Sequence, residues 1–198
     1  MTNDRFFRVA LCCAVIASVI GGRSAGAQET AAGHPERFGF GHPATEAEIA
    51  AWDRDIRPNG DGLPAGSGQA GDGEAIYAAK CAVCHGATGV EGPNDRLVRG
   101  PDEGFPRGDD PNSWQHRTIG NYWPYATTVF DYIWRSMPQN VPGSLTADEV
   151  YALTAFLLWR NGIIGEGEQL DANNLADIVM PARDEFKADD RLGHSGVH

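Results

Sequence analysis

Apolar side chains are spread very unevenly along this chain. A short apolar run, Val9–Ile20, follows a head carrying Arg5 and Arg8 and precedes the small residues Ala25-Gly26-Ala27. The run is too short to span a bilayer as a stable helix. Basic head, apolar centre and small-residue site together predict a cleaved signal peptide over residues 1–27, against the competing reading of an uncleaved membrane anchor. Residues 28–66 are rich in Gly and Pro and hold one short helical pattern. There Thr45-Glu46-Ala47-Glu48 reads as a capping box opening onto Ile49-Ala50-Ala51-Trp52. The turn-rich stretch Arg57–Pro64 comes next, and residues 28–66 are expected to wrap the domain as an N-terminal extension.

Sustained helical spacing begins at Gly71. Ile76, Tyr77 and Lys80 share one face of an expected helix with Asp72 as its cap, and this helix ends at Cys81. Residues 86–123 are dominated by Gly, Pro, Asp and Asn and read as mostly loop. A helix is expected over 124–136, with Pro124 in its first turn and apolar groups at Val129, Phe130, Ile133 and Trp134. A second capping box, Thr146-x-x-Glu149, opens the strongest helix. It runs through Val150, Leu153, Ala155, Phe156, Leu157 and Leu158 and is stopped by Asn161-Gly162. Residues 188–198 read as a flexible tail. With no internal repeat and no convincing strand alternation, the expected fold over 67–187 is all-α, a few helices joined by long loops. Loops of that length argue against a compact domain unless a large apolar cofactor fills its centre.

Cleavage after residue 27 removes Arg5, Arg8, Arg23 and Asp4, and leaves 13 basic against 26 acidic side chains. Such a balance argues against nucleic acid and against anionic membrane surfaces as partners. It fits either solubility alone or steering toward a basic redox partner. Cleavage also removes Cys12 and Cys13, so Cys81 and Cys84 are the cysteines that remain.

A secreted pair could form a disulfide, but a loop of two intervening residues adds little stability. The next residue is His85, and Cys-x-x-Cys-His is the attachment pattern of c-type haem. Two thiols at that spacing can add across the two vinyl groups of a porphyrin, and the following imidazole can reach the iron. Zinc competes, but a tetrahedral site needs about four protein ligands, and His34, His42, His116, His194 and His198 form no second pair. A thioredoxin-like redox motif would need a sheet around it. The expected cofactor is therefore one covalent haem c. Its sixth ligand should come from Met or His; the thioether candidates are Met137 and Met180, each followed by Pro, and position favours Met137, which lies between the helices that must flank the haem. A lone Met is otherwise a filler of core gaps. Trp123 and Tyr125 could donate to haem propionates or be packed aromatics. Arg96, Arg99 and Arg117 are either propionate partners or surface arginines.

Residues 70–160 resemble a class I cytochrome c domain, on Cys-Ala-Val-Cys-His-Gly followed by Gly92-Pro93-Asn94 and Leu97. The resemblance implies that the Pro93 carbonyl accepts a hydrogen bond from His85 Nδ1–H. A narrower resemblance covers nearly the whole chain after residue 42. Pro43-Ala44-Thr45, Arg57-Pro58, Gly62-Leu63-Pro64, Tyr122-Trp123-Pro124-Tyr125, Phe130-Asp131-Tyr132-Ile133, Met137-Pro138 and Met180-Pro181 are similar to the cytochrome subunits of periplasmic sulfite and sulfane dehydrogenases. This implies Met137 as distal ligand, a periplasmic location and a partner subunit holding a molybdenum cofactor. It also implies a one-electron carrier feeding a downstream cytochrome or oxidase. Two departures stand out: Arg99-Gly100 replaces an expected Gly pair, and there is one haem pattern where the Sox-type cytochrome has two haem domains. The competing functions are a free diffusible cytochrome c serving a terminal oxidase and an enzyme acting at the haem itself. The latter is disfavoured by a Met-ligated iron.

Overall fold

Two helices far apart in sequence cross at a glycine, and the rest of the fold is arranged around that crossing. The structure is a computed structural model and describes residues 39–109 and 111–187. The expected signal peptide (1–27) and tail (188–198) lie outside the described residues. In chain order the elements are α1 (Glu46–Trp52), β1 (Ser67–Gln69), α2 (Ala70–Lys80), α3 (Ala82–His85), α4 (Ala126–Ser136), α5 (Ala147–Arg160) and β2 (Gln169–Asp171). Short 3-10 turns lie at Ser113–His116, Leu175–Asp177 and Arg183–Glu185. The chain from Glu46 onward packs as one unit, to which all of these elements belong.

Helix α5 is the centre of the domain. Its residues Val150 to Leu158 are buried without interruption, so it is covered on every side rather than along one stripe. Two hydroxyls sit in that run; Thr154 satisfies its own within the helix by donating to the Val150 carbonyl at 2.7 Å, and Tyr151 donates outside it. The expected capping box is present: Thr146 accepts from the Glu149 amide while the Glu149 side chain accepts from the Thr146 amide at 2.9 Å. Asn161 caps the far end, as Asn161-Gly162 foretold.

Against α5 lies α2, at a separation that only glycine allows. A Cβ on Gly73 would fall 2.0 Å from the Ala152 carbonyl oxygen, and one on Gly68 in β1 would fall 2.2 Å from the Ala152 amide nitrogen. Beyond the crossing Tyr77 packs on Phe156, ring centroids 5.1 Å apart, and Lys80 pairs with Glu149 at 2.6 Å. Helix α4 covers another side of α5 through Val129, Phe130 and Ile133, with Phe130 and Tyr151 centroids 4.5 Å apart. Chain ahead of α2 joins the same core: Ile56 is buried, and the Pro64 carbonyl accepts from the Tyr151 hydroxyl at 2.9 Å.

Three local expectations are corrected. Helix α2 begins at Ala70 with Gln69 as a cap that makes no side-chain bond, and Asp72 sits within the first turn instead. The chain passes straight from β1 into the helix, so the last ladder residue takes the cap position; Asp72 keeps a favourable place near the positive end of the dipole. Helix α4 begins at Ala126, capped by an extended Tyr125, which leaves Pro124 outside the first turn. A small antiparallel sheet was not foreseen: Ser67, Gly68 and Gln69 pair with Asp171, Leu170 and Gln169. Three-residue strands are too short to show an alternating pattern, although the central residues Gly68 and Leu170 are both buried. Helix α1 forms where expected but buries none of its residues, and Trp52 is 87% exposed.

Candidate functional site

Cys81, Cys84 and His85 are carried on a single turn. Cys81 ends α2, and α3 holds Cys84 and His85. The amide of His85 bonds to the Cys81 carbonyl at 3.0 Å, which keeps all three side chains on adjoining positions of one short helix. Both thiols are free; Cys81 is half-buried against the core and Cys84 is exposed. Burial pushes the Cys81 thiol up to about 11, with Lys80 opposing the rise and Cys84 adding to it. A thiol shifted that way stays protonated at neutral pH, the reverse of the lowered pKa that drives exchange in a dithiol redox site. Among the described residues, no group of three or more His, Cys, Asp or Glu side chains comes together as a metal site.

The imidazole of His85 is fixed by its surroundings. Its Nδ1 lies 2.7 Å from the Asp95 carbonyl oxygen. A carbonyl only accepts, so Nδ1 carries the proton and Nε2 keeps a free lone pair, the form required of a metal-binding imidazole. The resemblance had implied Pro93 as this acceptor. Pro93 is exposed, and the carbonyl turned to the ring belongs to the residue two further on. The loop's anchors explain the shift. The Asn94 amide donates to the Cys84 carbonyl at 3.0 Å, and the Leu97 amide donates to the Gly89 carbonyl at 2.8 Å. Asp95 is held between these two points.

The loop can approach so closely because Gly92 has no side chain; a Cβ there would lie 2.2 Å from the Cys84 carbonyl oxygen. Glu91 ties the turn together by accepting from the Thr88 amide at 3.1 Å, the Thr88 hydroxyl and the Val90 amide at 3.2 Å. These bonds, the Thr88 hydroxyl's first, hold its carboxyl down to about 2. From the other side the buried Tyr77 hydroxyl donates to the Gly86 carbonyl at 2.9 Å. Its phenol is raised to about 12, chiefly by burial.

The two methionines occupy different environments. Met137 caps the C-terminus of α4, partly exposed and packed on the edge of the core, whereas Met180 is 1% exposed inside it. Met180 is thus the more deeply buried of the two. Leu97, Trp123, Cys81 and Met137 all share the half-buried state at the core's edge.

The aromatic and basic residues near the loop are largely engaged. Trp123 meets Tyr132 edge to face at 5.6 Å, and Tyr125 lies under the Arg183 guanidinium at 4.1 Å. Arg96 forms a bidentate pair with Glu103 at 2.9 and 3.0 Å. Arg117 stacks on Tyr122 at 4.4 Å. Arg99, half-buried, donates its amide to Asn161 Oδ1 at 3.0 Å. Sequence reasoning treated Asn161 only as a helix stop and Tyr77 only as a periodic apolar position.

Among the described residues, no helix is long and apolar enough to cross a membrane. Residues 68–157 match the family described as cytochrome c oxidase, cbb3-type, subunit III. No curated protein matches the chain. Among solved structures the chain is similar to one from the crystal structure of the sulfane dehydrogenase SoxCD of Paracoccus pantotrophus. The identity is 40% and the TM-score 0.66, over 78% of this chain and 74% of that one. Identity and coverage of this order carry more than a shared fold: the chain belongs to the cytochromes related to the Sox-type sulfane and sulfite dehydrogenases, electron-transfer proteins with the class I cytochrome c fold.

Proposed function

We propose that the chain is a periplasmic monohaem c-type cytochrome. In this reading it takes electrons one at a time from a molybdenum-cofactor sulfite or sulfane dehydrogenase subunit and passes them to a downstream cytochrome or oxidase. The observation that carries the reading is the His85 imidazole, with Nδ1 engaged by the Asp95 carbonyl and Nε2 free, directly after two free thiols on the same turn. Those donors fit haem c: Cys81 and Cys84 would hold it by thioether bonds, and His85 Nε2 and the Met137 thioether would ligate its iron. A bound haem supplies a reversible one-electron couple. The chain's part is to hold, orient and shield. The Asp95 carbonyl fixes the ring plane of His85 and strengthens Nε2 as a donor. The half-buried side chains of Leu97 and Trp123 at the core's edge would give the haem apolar surface to rest on.

The assignment of the electron donor rests on the 40% identity to a chain of SoxCD. It is tested by exporting the protein with haem maturation factors and recording the pyridine haemochrome spectrum. The expected result is a c-type spectrum resistant to acid acetone, together with copurification of a molybdoprotein and sulfite- or sulfane-dependent reduction. A colourless protein with a disulfide at residues 81 and 84 would overturn the haem reading. Reduction by an oxidase-linked carrier alone, with no molybdoprotein attached, would favour the diffusible cytochrome.

A further inference from the structure

Asn161 lies at the end of the central helix, and its side chain bridges that helix and the loop that serves His85. It is 3% exposed and makes three hydrogen bonds through two atoms. Nδ2 donates to the Leu97 carbonyl at 3.1 Å and to the Leu157 carbonyl at 2.8 Å. Oδ1 accepts from the Arg99 amide at 3.0 Å. Both donors and the acceptor are therefore spent on backbone, and two of the three contacts grip the segment 97–99.

That segment is also the far anchor of the carbonyl that holds the imidazole. Leu97 donates its amide to Gly89, while its carbonyl accepts from Ile119 at 3.2 Å as well as from Asn161. Two residues earlier in the chain is the Asp95 carbonyl, 2.7 Å from His85 Nδ1. Gly120 completes the clamp: a Cβ there would lie 2.3 Å from Asn161 Oδ1, so the amide is held in place from behind by backbone.

We propose that Asn161 is a positioning residue for the His85 imidazole, pinning residues 97–99 to the end of α5 so that the Asp95 carbonyl stays against Nδ1. The inference rests on the reading of His85 as an iron ligand. A well-held acceptor at Nδ1 gives the ring more imidazolate character, which favours the oxidised iron. Releasing the acceptor should therefore raise the reduction potential and expose the ring N–H to solvent.

The test uses the full haem-loaded protein and compares wild type with Asn161→Ala, Asn161→Asp and the control Thr154→Val. The control removes a buried hydroxyl bonded within α5 itself. Haem content is read from the pyridine haemochrome, midpoint potential by redox titration, and exchange of the His85 ring N–H by proton NMR of the reduced form. For Asn161→Ala we expect unchanged covalent haem, a higher potential and ring N–H exchange faster by about tenfold, the factor for losing one net hydrogen bond. Asn161→Asp keeps an acceptor for Arg99 but sets an oxygen against the Leu97 and Leu157 carbonyls; its added charge shifts the potential by itself, so it is read by ring N–H exchange alone, which should be at least as fast as in the alanine variant. Thr154→Val should leave potential and exchange at wild-type values. Unchanged potential and exchange in haem-loaded Asn161→Ala, or unchanged exchange in haem-loaded Asn161→Asp, would overturn the assignment, as would an equal response in the Thr154 control. A wild-type chain without covalent haem would sink the reading beneath it, and the haemochrome assay reports that separately.

Discussion

Gly73 of α2 rests directly on the carbonyl of Ala152 in α5, and the two helices cross at that contact. Gly71, two residues earlier, meets no atom within 4 Å of where its Cβ would be. The same substitution should therefore act in opposite directions at neighbouring positions. Gly73→Ala is expected to destabilise the fold by about 3 kcal/mol, because the clash is with backbone that cannot rotate away. Gly71→Ala should stabilise it by about 0.5–1 kcal/mol through backbone entropy alone. Chemical denaturation of the two variants checks this; equal effects would mean that the crossing is looser than described.

The methionines should separate cleanly by two measurements. Met137→Ala is expected to abolish the weak long-wavelength iron–sulfur charge-transfer band with modest loss of stability, since the side chain is partly exposed. Met180→Ala should leave the band intact and cost about 2–4 kcal/mol, as expected for emptying a buried site. The reverse pattern would move the ligand to Met180.

Acid should loosen the loop beside His85 in a defined window. Glu91 has a folded-state pKa of about 2, against 4.5 for the free group, because Thr88 and its neighbours donate to the carboxylate. A group whose pKa is lowered on folding stabilises fully above its unfolded value, and the contribution fades as pH falls through the folded one. The wild-type protein should thus lose stability between about pH 4.5 and 2 in part through Glu91. Glu91→Gln should start less stable at neutral pH and show a shallower decline over that range, in denaturation curves taken at successive pH values. Parallel curves would show that the turn does not depend on the carboxylate.

How much of this was legible in the sequence depends on the range over which each signal acts. The Thr146–Glu149 capping box and the Asn161-Gly162 stop are local hydrogen-bond patterns, and both ends of α5 appear where they were expected. The Cys81, Cys84 and His85 cluster is equally local, since consecutive residues on one turn must be neighbours. The acceptor for His85 was placed two residues too early because a loop's carbonyl directions depend on where it is anchored, here at Cys84 and Gly89, and neither anchor shows in composition. The sheet was missed for a related reason: Gly68 and Leu170 pair across about a hundred residues, in strands too short to alternate. Asn161 is legible as a cap, but its second role needs the loop 97–99 to arrive from far upstream.

One consequence follows from where the packing partners of α2 are encoded. Gly73, Tyr77 and Lys80 rest on Ala152, Phe156 and Glu149, and β1 just before them is paired with Gln169–Asp171. A chain made or exported from its N-terminus therefore presents Cys81 and Cys84 well before anything exists for their helix to pack against. During that interval the two cysteines lie on polypeptide that has no core to rest on. The core can close around that turn only when those later residues have arrived.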